Sequence, residues 1–400
     1  MMMQLFAVIG ALATLNFAKN AYQFLTFHFV KPAKPLSSYK RTSQPRDDTE
    51  DEKTTWALIT GSSAGIGLGI AQELILQGFG VILHGHLPVE LAEAKDHLLK
   101  YGQSHPPRKQ VKSTPPPQIE IRVLDARTAT DDDLTSLVNS LSHLDVSILV
   151  NNVGGNAIRE PNFLEVKDMT TRDIDSVIDQ NARFMSRLTC LILPSLAKNP
   201  KALIINFSSA GKVGCPWLVM YSATKAFNHG FSVGLGRELK LNPQTKHIDC
   251  ICVIPHEVKS QGNSKGVPGN APNWDDFGRE IVQKVDNAVR RGEWEIRPHL
   301  GHGIEAGILN GGLDWLVWWI PGLDWNAVLE KGFVDTIRRK RDAWWEFKGA
   351  RVNENGLWDG GNGNLETVGN GNGNGAKVVT EDGGATRKVN NGDGRKHSED

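Results

Sequence analysis

This 400-residue sequence lacks any excess of charge of one sign: 45 Lys and Arg balance 45 Asp and Glu, and no basic face stands out. A neutral chain without a basic patch does not read as a nucleic-acid binder. Cysteine is also scarce, at four residues: Cys190, Cys215, Cys250 and Cys252. Cys250 and Cys252, two apart in an apolar run, fall on one face of a strand and read as core thiols, neither a metal pair nor a disulfide. No metal site is expected, and so few cysteines suit a reducing compartment. From Lys348 onward large apolar side chains nearly vanish in favour of Gly, Asn, Lys, Asp and Glu. Such a segment cannot offset the entropy of ordering its backbone, so 348–400 is expected to be a disordered tail. Apolar, patterned sequence is confined to 54–347, which argues for one large core.

The N-terminus has its own absences. Leu5 to Val30 is mostly apolar, broken by Asn16, Lys19, Asn20, Gln23 and His28. As a helix it would extend roughly 39 Å, enough for a bilayer core of about 30 Å. No Lys or Arg precedes it, as the n-region of a secretory signal requires, although Ala11-Leu12-Ala13 resembles a cleavage site. An uncleaved anchor over 1–31 is the expectation, with an interfacial helix as its rival. Lys31, Lys34, Lys40 and Arg41 form a basic flank that stays cytosolic. The Pro-, Ser- and charge-rich stretch 32–53 reads as a linker.

Trp56 to Thr60 is a short β-type run, followed by Gly61-Ser-Ser63-Ala-Gly65-Ile66-Gly67 and then helical spacing to Gln77. Strand, glycine turn and helix in that order suit a dinucleotide fold, because glycines let the backbone approach a pyrophosphate at a helix N-terminus. The second strand, Gly80 to His84, leads into Gly85-His86-Leu87-Pro88, with no acid until Glu90. A carboxylate that would bind a ribose 2′-hydroxyl is therefore missing. His86 is either a hydrogen-bond donor to a 2′-phosphate or a plain exposed loop residue; NADP(H) is expected ahead of NAD(H). Tyr101 to Gln118 reads as a loop, Ile119 to Leu124 as a strand before Asp125, and Ile148 to Val150 as a buried strand before Asn151-Asn152-Val153-Gly154. Strands alternating with helices such as Asp131 to Leu141 predict an α/β, Rossmann-type doubly wound parallel sheet with helices on both faces.

Ala202 to Ser209 is a strand running into a turn, and Tyr221-Ser-Ala-Thr-Lys225 then opens a helix. Tyr221 and Lys225, four apart, share a helix face. A phenol with pKa near 10 is a poor acid at neutral pH, and a nearby ammonium is expected to lower it. A Ser hydroxyl, Ser208 or Ser209, would hydrogen-bond a substrate carbonyl oxygen. A chance Y-x-x-x-K is common, but its order after a glycine turn, N-N-x-G and Ser is not.

On these motifs, with Asn181, residues 54–254 resemble the short-chain dehydrogenase/reductase family. The similarity is greatest to its membrane-anchored 17-beta-hydroxysteroid dehydrogenase and very-long-chain 3-ketoacyl-CoA reductase branch. The resemblance implies a nicotinamide-dependent oxidoreductase acting on a hydrophobic ketone or alcohol, at the endoplasmic reticulum with its catalytic domain facing the cytosol. It implies that Asn181, Tyr221, Lys225 and one of Ser208 and Ser209 are catalytic, with Asn181 holding a relay water and Ser208 slightly preferred. It further implies that Gly61, Ser63, Gly65, Ile66, Gly67, His86, Asp125, Asn151, Tyr221, Lys225 and Val258 bind the cofactor. Such folds often pair through helices, so a homodimer is possible. Three features depart from the branch: His86 replaces an Arg, the run His256 to Ser260 is unusually charged, and the chain ends without a lysine-type retrieval signal.

Asn273 to Arg291 has helical spacing in Ile281, Val285 and Val289. Beyond it Trp315, Trp318, Trp319 and Trp325 lie among Leu, Val and Ile, as expected of a substrate lid, a membrane-interface segment or core closure. Alternatives to the lipid reductase are a ketoreductase of specialised metabolism and a non-catalytic cofactor-binding relative.

Overall fold

The computed structural model describes residues 2–30, 35–41, 54–105, 116–160, 162–309, 325–347, 351–352 and 358–359. Trp315, Trp318, Trp319, most of the 32–53 stretch and nearly all of the 348–400 tail lie outside these residues. Seven strands form one parallel sheet in the order β3-β2-β1-β4-β5-β6-β7. They are β1 (Thr55–Thr60), β2 (Gly80–Gly85), β3 (Ile119–Val123), β4 (Asp145–Asn151), β5 (Ala202–Phe207), β6 (Ile248–Val253) and β7 (Glu295–Ile296). The chain order reverses between β1 and β4, and in sheets of this kind the crevice beyond the strands' carboxyl ends at that point takes the ligand.

The central strands read as unbroken apolar runs because helices cover both their faces. Ala57, Ile59, Val150, Ile205 and Val253 join a core with α2 (Gly65–Leu76), α3 (Pro88–Ser104) and α8 (Trp274–Arg290). Leu58, Leu149 and Ile204 join the opposite core with α4 (Asp131–Asn139), α6 (Phe184–Leu196) and α7 (Val219–Leu241). A short helix α5 (Thr171–Ile178) precedes α6, and α9 (Leu300–Leu309) and α10 (Trp325–Phe347) follow β7. The expected doubly wound α/β architecture is therefore present. The loop expected from Tyr101 begins later, since α3 continues to Ser104 before the chain leaves the described residues.

The N-terminal helix α1 spans Met2–Phe29, and none of its most apolar window is buried in the protein. Its last turns are anchored. Arg291 donates to the Gln23 carbonyl and to Thr26 Oγ1 at 2.7 and 2.8 Å, and Asn287 donates to the Val30 carbonyl at 2.7 Å. The stretch expected to be a linker is also held where it is described. The Leu36 N–H donates to Asp286 Oδ2 and Tyr39 Oη to Asp249 Oδ2, each at 2.7 Å, with both residues buried. Apolar Leu36 and Tyr39 gain more from the core than a polar linker average suggests.

Helices α2 and α8 cross at a pair of glycines. A Cβ on Gly278 would lie 2.5 Å from the backbone carbon of Gly69, and one on Gly69 would lie 2.6 Å from the Trp274 carbonyl oxygen. Replacing an exposed helical Gly by Ala ordinarily gains about 1 kcal/mol. At this crossing the obstruction is backbone, which cannot rotate away, so overpacking at about 1–3 kcal/mol decides the sign. Gly278→Ala is expected to lower the melting temperature by several degrees in calorimetry; an unchanged or raised value would mean that the helices do not approach so closely.

Candidate active site

The turn between β1 and α2 is a cradle of bare backbone. Gly61 and Gly65 sit at φ +64° and +59°, in the left-handed region that glycine enters without strain. A Cβ on Gly67 would lie 2.4 Å from the Gly61 carbonyl oxygen and 2.7 Å from Asn152 Nδ2. Asn152 Nδ2 ties the turn to the strand beside it, donating to the Thr60 and Gly61 carbonyls at 3.1 and 2.8 Å. Thr60 Oγ1 donates to the Val150 carbonyl at 3.1 Å and accepts the Asn152 and Val153 N–H groups at 2.9 and 3.1 Å. These contacts fix the first N–H groups of α2 at the crevice, where helix-end partial charge favours phosphate. The residues present therefore fit a dinucleotide pyrophosphate.

Beyond β4, β5 and β6 the catalytic candidates converge. Lys225 is buried, and its Nζ donates to the Phe207 carbonyl at 3.3 Å. A Cβ on Gly154 would lie 2.8 Å from Lys225 Nζ and 3.2 Å from Asn181 Oδ1, so the three residues meet at one point. Asn181 lies in a π turn, Asp179–Arg183, inserted between α5 and α6, a distortion often found at functional sites. Its amide donates to the Gly155 carbonyl and to Thr224 Oγ1 and its oxygen accepts the Gly155 N–H, all at 2.9 Å.

The two serines separate. Ser208 is buried, and its hydroxyl donates to the Lys225 carbonyl at 2.7 Å. Ser209, in extended backbone at φ −165°, turns the other way, and its Oγ accepts the Gly211 N–H at 3.1 Å. A Cβ on Gly211 would have both Ser209 Oγ at 3.5 Å and Tyr221 Cε1 at 3.6 Å as neighbours. The hydroxyl beside the phenol is therefore that of Ser209, against the expectation that put Ser208 ahead.

Charge states also differ from expectation. Desolvation pushes the Tyr221 phenol up to about 12, against the opposing hydrogen bond from Ser209. The same cause draws Lys225 down to about 8. The ammonium lies 5.7 Å from the Tyr221 ring centre, and burial outweighs the expected lowering of the phenol. At neutral pH Tyr221 is thus a protonated acid beside a cation.

The remaining candidates divide. Ser63 Oγ donates to Glu90 Oε2 at 3.2 Å, and Ile66 packs partly buried on the core. His86 is exposed after β2. The Asp125 carboxylate is gripped by Arg127, whose Nη2 donates at 2.7 Å, and is held below its ordinary range by that contact against its desolvation. Arg127 was not foreseen from the sequence; it follows β3, which lies next to β2 in the sheet. Val258 is buried in the core. Asn151 does not line the cleft through its side chain: its amide donates to Asn206 Oδ1 and Thr189 Oγ1 at 2.8 and 2.9 Å. Asn151 and Asn206 are register partners on β4 and β5, and this pairing holds the Asn151 amide nitrogen while its buried Oδ1 is left without a hydrogen-bond partner among the described residues. Ser260 was also unforeseen; its Cβ lies 3.5 Å from where a Cβ on Gly65 would be.

Comparison with known proteins agrees with this geometry. The profile of the short chain dehydrogenase family matches residues 55–269. A very-long-chain 3-oxoacyl-CoA reductase of Coprinopsis cinerea is 31% identical over 278 residues, 69% of this chain and 74% of that one. Its counterpart from Phaeosphaeria nodorum is 34% identical over 284 residues, again 69% and 74%. The rat protein of that name is 32% identical over 248 residues, 62% of this chain and 73% of its own. Among solved structures, a Sphingobium yanoikuyae short-chain dehydrogenase in complex with NADPH aligns at TM-score 0.50 and 22% identity, over 68% of this chain and 98% of its own. One from Salmonella enterica aligns at TM-score 0.52 and 18% identity, over 62% and 96%. At these identities the structures establish the fold.

The cradle makes a direct prediction. Gly67→Ala places a methyl group against the Gly61 carbonyl and is expected to weaken dinucleotide binding at least 50-fold in titration calorimetry. Binding within threefold of the parent would show that the turn does not receive the pyrophosphate.

Proposed function

Since the chain belongs to the short-chain dehydrogenase family, and is with it a nicotinamide-dependent oxidoreductase, we propose that it reduces the 3-keto group of a long, apolar acyl thioester with NADPH. The observation that carries this is the meeting of Ser209, Tyr221, Lys225 and Asn181 beside a glycine cradle, at the carboxyl ends of β4 to β6. The substrate class comes from the relatives, which bear the name very-long-chain 3-oxoacyl-CoA reductase.

Gly61, Gly65, Gly67 and the first N–H groups of α2 would hold the pyrophosphate, and His86 with Arg127 would face the 2′-phosphate. Support for NADP(H) is that no acid follows β2 before Glu90 and that Asp125 is paired with Arg127. When bound, the nicotinamide supplies a hydride to the carbonyl carbon. Ser209 Oγ donates a hydrogen bond to the ketone oxygen and stabilises the negative charge developing on it. Tyr221 Oη gives its proton to that oxygen, yielding the secondary alcohol and a phenolate. The Lys225 ammonium stabilises the phenolate, and Asn181 holds the Gly154–Gly155 backbone against that ammonium so that the proton can be replaced.

The apolar helix α1 supports membrane anchorage, and the packing of Leu36 and Tyr39 on the catalytic domain supports placing that domain close to the membrane, on the cytosolic side of the endoplasmic reticulum. Deleting residues 2–30 is expected to move the protein from the membrane pellet to the supernatant. Retention in the pellet would assign membrane binding elsewhere in the chain.

Turnover separates the chemical roles. Tyr221→Phe is expected to abolish NADPH oxidation with long-chain 3-ketoacyl-CoA while leaving NADPH affinity intact. Ser209→Ala is expected to lower kcat about 100-fold, the usual scale for one oxyanion donor; Ser208→Ala should instead lower stability with kcat within a few-fold. Reversed effects of the two serines would overturn the assignment. Reduction needs a protonated Tyr221 and a charged Lys225. With Lys225 near 8 and Tyr221 near 12, the rate should be level below pH 8 and fall above it. A rate rising through pH 9 would contradict these roles.

A further inference from the structure

Three loops lie beside the catalytic residues, those after β4, β5 and β6, and α10 touches all of them. Lys340 Nζ lies 2.6 Å from both carboxylate oxygens of Glu257, on the loop after β6. Its neighbour Arg341 lays its guanidinium 4.3 Å over the ring of Trp217, on the loop before α7, and 4.8 Å from the ring of Trp345. Trp344 Nε1 donates to Glu160 Oε2 at 3.2 Å and Trp345 Nε1 to the Asn162 carbonyl at 2.6 Å, both on the loop after β4. Close approach reinforces this: the Lys340 Cα lies 3.2 Å from where a Cβ on Gly266 would be.

Two of these loops are strained where α10 holds them. Trp217 has φ 60° and Phe163, next to Asn162, has φ 70°. Bulky residues persist in that region only where surrounding contacts over-determine them. Glu257 belongs to the charged run His256 to Ser260, which the hydride-transfer reading leaves without a role. The loop carrying it is joined to the catalytic turn, because the Ala210 N–H donates to the Pro255 carbonyl at 2.9 Å. Helix α10 also lies beyond the residues that match the family profile, 55–269.

We propose that α10 is a lid in which Lys340 and Arg341 are positioning residues that select for a long apolar substrate. Lys340 fixes the Glu257 side of the entrance and Arg341 fixes the Trp217 side. A long chain must pass between those walls, whereas a short ketone reaches Tyr221 without depending on them. The inference rests on the reading of the chain as a ketone reductase.

Two readouts on the full-length chain test it. In hydrogen exchange, Lys340→Met is expected to speed exchange at 257–266 and Arg341→Ala at 211–219, each about tenfold, with 61–67 unchanged. In kinetics, each variant should raise KM for a long-chain 3-ketoacyl-CoA about tenfold. The kcat, the NADPH affinity and the KM for a short-chain ketone should stay within twofold. The charge swap of Glu257→Lys with Lys340→Glu should restore the long-chain KM. Unchanged exchange in both variants would overturn the lid. Faster exchange with equal KM changes for long and short substrates would overturn the selective role and leave α10 merely structural. If the parent chain reduces no ketone, the proposed function fails, and the exchange data still decide whether α10 holds the loops.

Discussion

The active cleft is organised around the burial of one ammonium group, that of Lys225. Removing a cation from water is expensive, and proteins accept it only where surrounding dipoles compensate. The compensation here comes from the end of β5. The Phe207 carbonyl takes both Lys225 Nζ and Asn228 Nδ2, while Ser208 Oγ donates to the Lys225 carbonyl. Helix α7 is thereby laid against the strand with Tyr221 one turn ahead of the lysine, at the mouth of the crevice. The space beside Nζ must hold no side chain, and Gly154 provides this, since a Cβ there would lie within 2.8 Å of the ammonium. Asn181 secures that glycine's neighbour from both sides of its peptide, which links the π turn before α6 to the same point.

The cofactor half depends on a matching restriction of space. Gly67 packs on the Gly61 carbonyl so tightly that a methyl group is excluded, and the Thr60 hydroxyl and Asn152 amide brace the turn from the adjoining strand. Because β1 and β4 are neighbours in the sheet, the brace and the lysine site share one short segment, 151–155. Cofactor cradle and proton-transfer groups are therefore parts of one rigid end of the sheet. The loops that must admit substrate are left to be positioned by other contacts.

Much of this was legible in sequence because it concerns periodicity and spacing. Apolar strand runs, the glycine turn and the i, i+4 relation of Tyr221 to Lys225 are properties of neighbouring residues. What was not legible depends on direction and environment. Ser208 and Ser209 are adjacent, and extended backbone sends adjacent side chains to opposite sides, so only the course of β5 could assign the hydroxyl that faces Tyr221. Asn151 resembles a cleft residue in its motif, yet its side chain is buried against Asn206 and Thr189, which lie far away in sequence. The phenol of Tyr221 was expected to be lowered by its lysine, but desolvation dominates. Helix α10 acts across long sequence separations, where local pattern carries no signal. Leu36 and Tyr39 were hidden by the polar composition around them.

The claim that organises the rest is that Lys225 is a buried cation whose proton is held loosely enough to be exchanged during turnover. It is tested most directly by following the Nζ resonance of labelled lysine through a pH titration, with Lys225→Met identifying the signal. A midpoint near 8, well below that of the surface lysines, is the result predicted. A midpoint above 10 would place the ammonium in water, and the account of the cleft would then be wrong.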